Sequence, residues 1–150
     1  MQTTLGSKGD YSVRAVLDLA RAHGSSRRKS REISDRMAIP PKYLPQVLGD
    51  LIRAGLVESV AGPGGGYSLS RPPAEVSLLD VVEAAEGPVR NSKCLLRGGP
   101  CHWESKCSLH DAWAHAQDKM IEELANTNFA TLVAQDIAME KNRERQPISR

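Results

Sequence analysis

The sequence predicts a mainly α-helical protein: three helices lead into a two-stranded β-hairpin, and a long helix follows in the C-terminal third. Three observations predict it. Apolar residues recur at helical spacing before Gly55, a Gly/Pro tract at 61–66 separates two short strand-like runs, and a second helical pattern starts at Ser108.

The first helix is expected over Gly9 to Ala22, where Tyr11, Ala15, Leu19 and Ala22 fall at spacings of four and three. Gly24-Ser25-Ser26 breaks it, and Arg27, Arg28, Lys29 and Arg31 form a basic cluster. Ser30 is expected to N-cap a short helix ending near Met37. After Ile39-Pro40 a further helix carries Leu44, Val47, Leu48, Leu51 and Ile52, the stripe of an amphipathic helix, and Gly55 stops it. Helix, short helix, tight turn, helix is what a helix-turn-helix needs.

Leu56 to Val60 and Tyr67 to Ser70 then flank the Gly/Pro tract as a hairpin. A hairpin placed there makes the unit a winged helix-turn-helix with a two-stranded β wing. The glycine tract is not read as a nucleotide-phosphate loop, because no Lys-Ser/Thr follows and it enters a strand rather than a helix. Pro72-Pro73 ends this unit, giving a DNA-binding domain over 1–72. Ser77 with Asp80 forms a capping box for a helix through Glu86, and Gly87-Pro88 closes it. Residues 89–107 are expected as a loop rich in Gly and Cys. From Ser108 to about Ala125 a long helix places Ala112, Trp113, Ala116, Met120 and Leu124 on one face. Such a stripe at the end of a small domain suits pairing with the same helix of a second subunit, giving a homodimer. Phe129 to Met139 reads as a last helix, so 73–139 forms a second unit, and 140–150 is expected as a disordered tail.

At 150 residues with 40% hydrophobic content, the chain is long enough for a single core. No run approaches a membrane span, and Lys8, Asp10, Arg14 and Asp18 interrupt the N-terminus, so a cytoplasmic protein is expected. Net charge is +2, but residues 1–72 hold eleven Lys/Arg against six Asp/Glu. That excess points the N-terminal half toward a polyanion such as double-stranded DNA.

Cys94, Cys101 and Cys107 stand at C-x6-C-x5-C, with His110 following as C-x2-H. Three cysteines are a poor disulfide framework, and thiolates this close suit a soft metal or an oxidant sensor. Closed zinc sites use tighter knuckles, whereas longer spacings suit an iron–sulfur cluster. A cluster normally takes four ligands, so a non-cysteine ligand such as His110 is required. His102 and Glu104 lie nearer in sequence, within the loop, and three merely reduced cysteines are the bland alternative.

The chain from about Leu5 to Leu132 resembles the iron–sulfur transcription regulators typified by IscR, NsrR and RirA. The landmarks are Ser7-Lys8-Gly9 with Tyr11, Tyr43-Leu44 with Gln46, Ala54-Gly55-Leu56-Val57, Gly62-Pro63-Gly64-Gly65-Gly66-Tyr67, Asp80-Val81-Val82, Glu86-Gly87 and the three-cysteine loop. The resemblance implies a homodimeric winged-helix repressor or activator, with a repressor expected here, whose cluster state controls promoter binding. It implies Cys94, Cys101 and Cys107 as cluster thiolates. For the fourth ligand it offers His110, which matches an IscR-like 2Fe–2S site, or Asp10 of the partner subunit, which matches an NsrR-like 4Fe–4S site; the Cys-x2-His element leans to His110 and 2Fe–2S. Lys42, Tyr43 and Gln46 would enter the major groove, with Gln46 suited to pairing adenine. Lys42, Arg27, Arg28, Lys29 and Arg31 would hold phosphates, and Gly64, Gly65 and Gly66 would bring the wing close to the sugar-phosphate chain.

Three departures stand out: a six-residue first cysteine gap where IscR-like members usually have five, Pro45 where a glutamate is common, and Ala61 where the wing commonly has Arg. Rival classes are a cluster-free thiol- or zinc-based redox regulator and an iron–sulfur electron-transfer or delivery protein. A small metalloenzyme using His110, Asp111 and His115 is disfavoured, since Asp111 points away from His110 on a helix; no enzyme is expected.

Overall fold

The computed structural model describes residues 4–90 and 107–145. Among the described residues, six helices and one two-stranded sheet run in the order α1 (Ser7–Arg21), α2 (Ser30–Met37), α3 (Leu44–Arg53), β1 (Val57–Val60), β2 (Gly66–Leu69), α4 (Leu78–Glu86), α5 (His110–Asn126) and α6 (Phe129–Arg145). A short 3-10 turn, Pro73–Glu75, precedes α4. The winged helix-turn-helix is present as expected.

Local sequence explains most of the elements. Pro45 occupies the second position of α3, where a backbone N–H would have no helical partner in any case. The capping box at α4 forms: Ser77 Oγ accepts the Asp80 N–H and Asp80 Oδ2 accepts the Ser77 N–H, each at 3.0 Å. At α2 the N-cap is Lys29 rather than Ser30, because Glu32 Oε2 reaches back to the Lys29 N–H at 2.7 Å and draws Ser30 into the first turn. Likewise α5 starts at His110, two residues after Ser108.

The two strands pair antiparallel, from Val57 opposite Leu69 to Val60 opposite Gly66. The segment between α1 and α2 adds a bridge on the free edge of β2, Arg28 and Tyr67 exchanging N–H···O bonds of 2.9 and 2.8 Å. Glycine at the wing tip has a packing reason. A Cβ on Gly65 would sit 2.2 Å from the Val60 carbonyl oxygen, and one on Gly66 2.6 Å from that of Arg28.

The core gathers Ala15, Val16, Leu19, Ile33, Ile39, Leu44, Leu48, Leu51, Val76, Val81 and Phe129. It therefore runs across the boundary at 72–73, with Val76 and Val81 packed among residues of α1 to α3. The last helix corrects the expected end at Met139. It continues to Arg145, because Arg21 of α1 hydrogen-bonds Glu140 at 2.8 Å and lies 3.6 Å from Asp136. Of the expected tail, 140–145 are thus helical and 146–150 lie outside the described residues. Among the described residues, no helix is long and apolar enough to cross a membrane.

Candidate nucleic-acid interface and thiol centre

The start of α3 is braced from α1. Tyr43, at the N-cap, stacks on Tyr11 with ring centroids 5.8 Å apart, and Lys42 Nζ lies 4.9 Å from the centre of the Tyr43 ring. Tyr11 in turn carries the Arg14 guanidinium at 5.7 Å. Arg14 also donates to the carbonyls of Met37 and Ala38, at 3.1 and 3.4 Å, the turn between α2 and α3. Ala38 holds a left-handed backbone there (φ 53°), a conformation disfavoured for alanine. The Arg14 bonds and the Ile39 N–H to Ser34 carbonyl bond of 3.1 Å fix that turn. The result is a preset angle between the two helices of the pair.

Of the basic residues, Arg27, Lys29, Arg31 and Lys42 are exposed, as is Gln46. Arg31 lies 4.0 Å from Asp35, a contact too open to the solvent to restrain it. Arg28 differs: its side chain is 17% exposed and turned toward Asp18, Nε to Oδ2 3.5 Å. Asp18 is buried on the inner face of α1. Burial pushes its carboxyl above the ordinary carboxylate value, opposed by Arg28, Arg36 and Arg21. Gly64 is exposed at the wing tip, whereas Gly65 is buried and Gly66 half-buried.

Sequence reasoning missed Arg14, Asp18 and Glu86. Asp18 lies between Ala15 and Ala22 on the apolar stripe, so its need for a cation was readable. Arg14 stands four residues after Asp10, the spacing of a helical ion pair. Glu86 had no local signal: its Oε1 accepts from Gly6 N–H at 2.6 Å and Gly9 N–H at 3.2 Å. It thereby caps α1 from the end of α4, and extends α1 two residues before the expected Gly9.

Of the cysteines, Cys107 is half-buried three residues before the start of α5, and Cys94 and Cys101 lie outside the described residues. The His110 N–H donates to the Cys107 carbonyl at 3.1 Å, so the two residues share one turn, with His110 exposed. Asp10 has both carboxylate oxygens engaged by Arg14, at 3.0 and 2.5 Å. Among the described residues no three His, Cys, Asp or Glu gather as a metal site. The donors in view, a thiol and an imidazole one turn apart, fit a soft metal.

On α5, Gln117 alone among the described residues is buried. Ala112, Ala116 and Met120 are exposed, and Trp113 and Leu124 half-buried. Arg90, just after α4, pairs with Asp118 of α5 and holds that carboxyl below its ordinary value.

Residues 5–135 match the Rrf2 family, described as iron-dependent transcriptional regulators. The HTH-type transcriptional regulator IscR of Cronobacter sakazakii is 36% identical over 129 residues, covering 86% of this chain and 79% of that protein. Among solved structures, CymR, the global cysteine regulator of B. subtilis, superposes with a TM-score of 0.78 at 25% identity, covering 89% and 98% of the two chains. IscR of T. potens superposes with a TM-score of 0.71 at 25% identity, covering 100% and 96%. The resemblance stated from the sequence is borne out, and the relatives are regulators rather than enzymes. With a helix-turn-helix braced by Arg14 and Tyr11, a glycine wing and a match along nearly the whole length, the chain belongs to the Rrf2 family of DNA-binding transcription regulators.

Proposed function

We propose that this regulator is a homodimeric repressor, acting in the cytoplasm, whose promoter binding is controlled by an iron–sulfur cluster on Cys94, Cys101, Cys107 and a non-cysteine ligand. The observation that carries this reading is the placement of Cys107 and His110 within one turn at the head of α5, with two further cysteines in the preceding segment. His110 is favoured as fourth ligand over the partner's Asp10 site, because Asp10 would first have to leave Arg14. A cluster held there would supply iron chemistry responsive to redox state, nitric oxide or iron and cluster supply.

This chain's own residues do the rest. Gln46 and Tyr43, with Lys42, enter the major groove at the head of α3, Gln46 pairing adenine. Arg27, Lys29 and Arg31 hold phosphates, and Gly64 brings the wing to the backbone. Arg28 acts from inside, tying the edge of the wing to Asp18 of α1. Two copies pair through the α5 face bearing Ala112, Ala116 and Met120. A change in the segment before α5 then alters the spacing of the two α3 helices, which couples the two sites.

Anaerobically purified protein tests the reading, through its visible absorption and paramagnetic resonance spectra with iron and sulfide counted per chain. About two irons per chain, lost in Cys101→Ala and depleted in His110→Ala, is the expected result. About four irons, insensitive to His110→Ala and lost in Asp10→Ala, would move the fourth ligand to Asp10. A colourless protein that stays iron-free after reconstitution would replace the cluster by thiol- or zinc-based regulation, the alternative that three clustered cysteines also allow.

A further inference from the structure

Gly49 stands in the middle of α3, and nothing inside the molecule asks for glycine there. Its backbone φ is not positive, and a Cβ added to it would meet only the guanidinium of Arg53, at an ordinary contact distance of 3.8 Å. The contrast with Gly65, where a Cβ would strike the Val60 carbonyl, is sharp. Alanine at Gly49 would make a better helix. The position is half-buried and lies on the outer side of the helix. Leu44, Val47, Leu48 and Leu51 are buried, while Pro45, Gln46, Ile52 and Arg53 are exposed. At about 100° per residue, Gly49 falls between the directions of Pro45 and Gln46, on the face turned from the core.

We propose that Gly49 is a close-approach position. Together with Pro45 one turn before it, it forms a notch on α3 that seats against the major groove and receives a thymine methyl group. The inference rests on the assignment of α3 as the groove-entering helix. Neither residue has a side-chain donor or acceptor, so the notch cannot satisfy a guanine, cytosine or adenine edge. Thymine alone presents an apolar group in that groove. Gln46, beside the notch, would read an adenine next to that thymine. Glycine's lack of a side chain lets the helix backbone come within contact of the base edge.

The test begins with a site selected by the full-length wild-type protein from randomised duplexes, with affinities measured at one fixed salt concentration. Gly49→Ala is expected to raise Tm by roughly 2–5 °C, yet bind the selected site about tenfold more weakly. Opposite signs in the two readouts separate a DNA contact from a structural role. Replacing each thymine of the site in turn by deoxyuridine, which lacks only the methyl, is expected to weaken wild-type binding several-fold at one or two positions. That loss should shrink in Pro45→Ser. The deoxyuridine series uses wild-type protein and stands even if a variant misfolds. A more stable Gly49→Ala that binds as tightly as wild type overturns the proposal, as does a lower Tm or a site indifferent to every methyl. If wild-type protein selects no sequence at all, the groove assignment itself fails, before any variant is made.

Discussion

Residues 4–90 and the first helix of the α5–α6 arm use apolar side chains in opposite ways. In the first region Ala15, Val16, Ile33, Leu44, Leu51 and Val81 are fully buried, enclosed by α1 to α4 and the wing. In the arm, Leu109 is 43% and Met120 49% exposed, and α5 buries only Gln117 among its described residues. The first region is closed by its own chain, whereas α5 leaves apolar residues open on the face that the proposed dimer would use. The two are joined at the start of α6. There Phe129 is fully buried, its N–H donates to the Val76 carbonyl at 3.0 Å, and the Leu78 N–H donates to the Thr127 carbonyl at 2.8 Å.

That joint is where the contrast breaks most easily. Phe129→Ala should cost about 3–5 kcal/mol of unfolding free energy, since it opens a cavity in the shared core. Urea melts of the full chain measure it. A loss near that of a surface substitution would mean that the arm docks without contributing to the core. A step down is Glu86, which caps α1 from α4. Glu86→Ala should cost about 1 kcal/mol, because it leaves the Gly6 and Gly9 N–H groups to water and removes a carboxylate from a helix N-terminus. Glu86→Gln, which keeps one acceptor, should recover part of that loss.

The same contrast explains what was legible in the sequence. The helices of the first region, the wing and the Ser77–Asp80 box follow from contacts within a few residues, and periodicity and capping rules report such contacts. What escaped is made between elements: Glu86 to Gly6 and Arg21 to Glu140 across long stretches of chain, and Arg28 to Asp18 across the turn after α1. The charged end of α6 read as a solvated tail because its Arg21 partner lies 119 residues away. Arg28 read as one of four equivalent cations because only the fold shows which of them meets a buried acid. Of the candidate site, the head of α3 and the wing were legible. The bracing by Arg14 and Tyr11 was not, since it requires α1 to cross α3. Of the proposed thiol centre the sequence offers spacing alone, and Cys94 and Cys101 lie outside the described residues.

The arm itself should tolerate change within one chain and respond to it between chains. Met120→Glu adds a charge to an exposed position, so the single-chain unfolding free energy should move by no more than about 0.5 kcal/mol. Sedimentation should nevertheless shift from two chains to one, because a like charge would face its copy across a two-fold axis. Unaltered dimers would place the pairing surface off this face of α5 and leave its exposed apolar residues without that explanation.

The smallest effect expected concerns Asp18, the one acid placed among the core residues of α1. Burial raises its pKa, while Arg28, Arg36 and Arg21 lower it and Glu32 raises it further. With the folded value above the unfolded 3.8, the native state holds the proton more tightly. Asp18 therefore adds stability that is fully present below pH 3.8 and is lost as pH rises through the folded value. In Asp18→Asn that contribution is absent. The stability difference, wild type minus variant, should thus be most favourable to wild type in acid, fall as pH rises above 3.8, and level off once the folded value is passed. Urea melts of both proteins from pH 3 to 7 measure it. A difference that instead grows in favour of wild type as pH rises would show that the Arg28 pairing outweighs burial. The ion pair joining the wing edge to α1 would then be a net source of stability, and the closed region would owe part of its closure to charge.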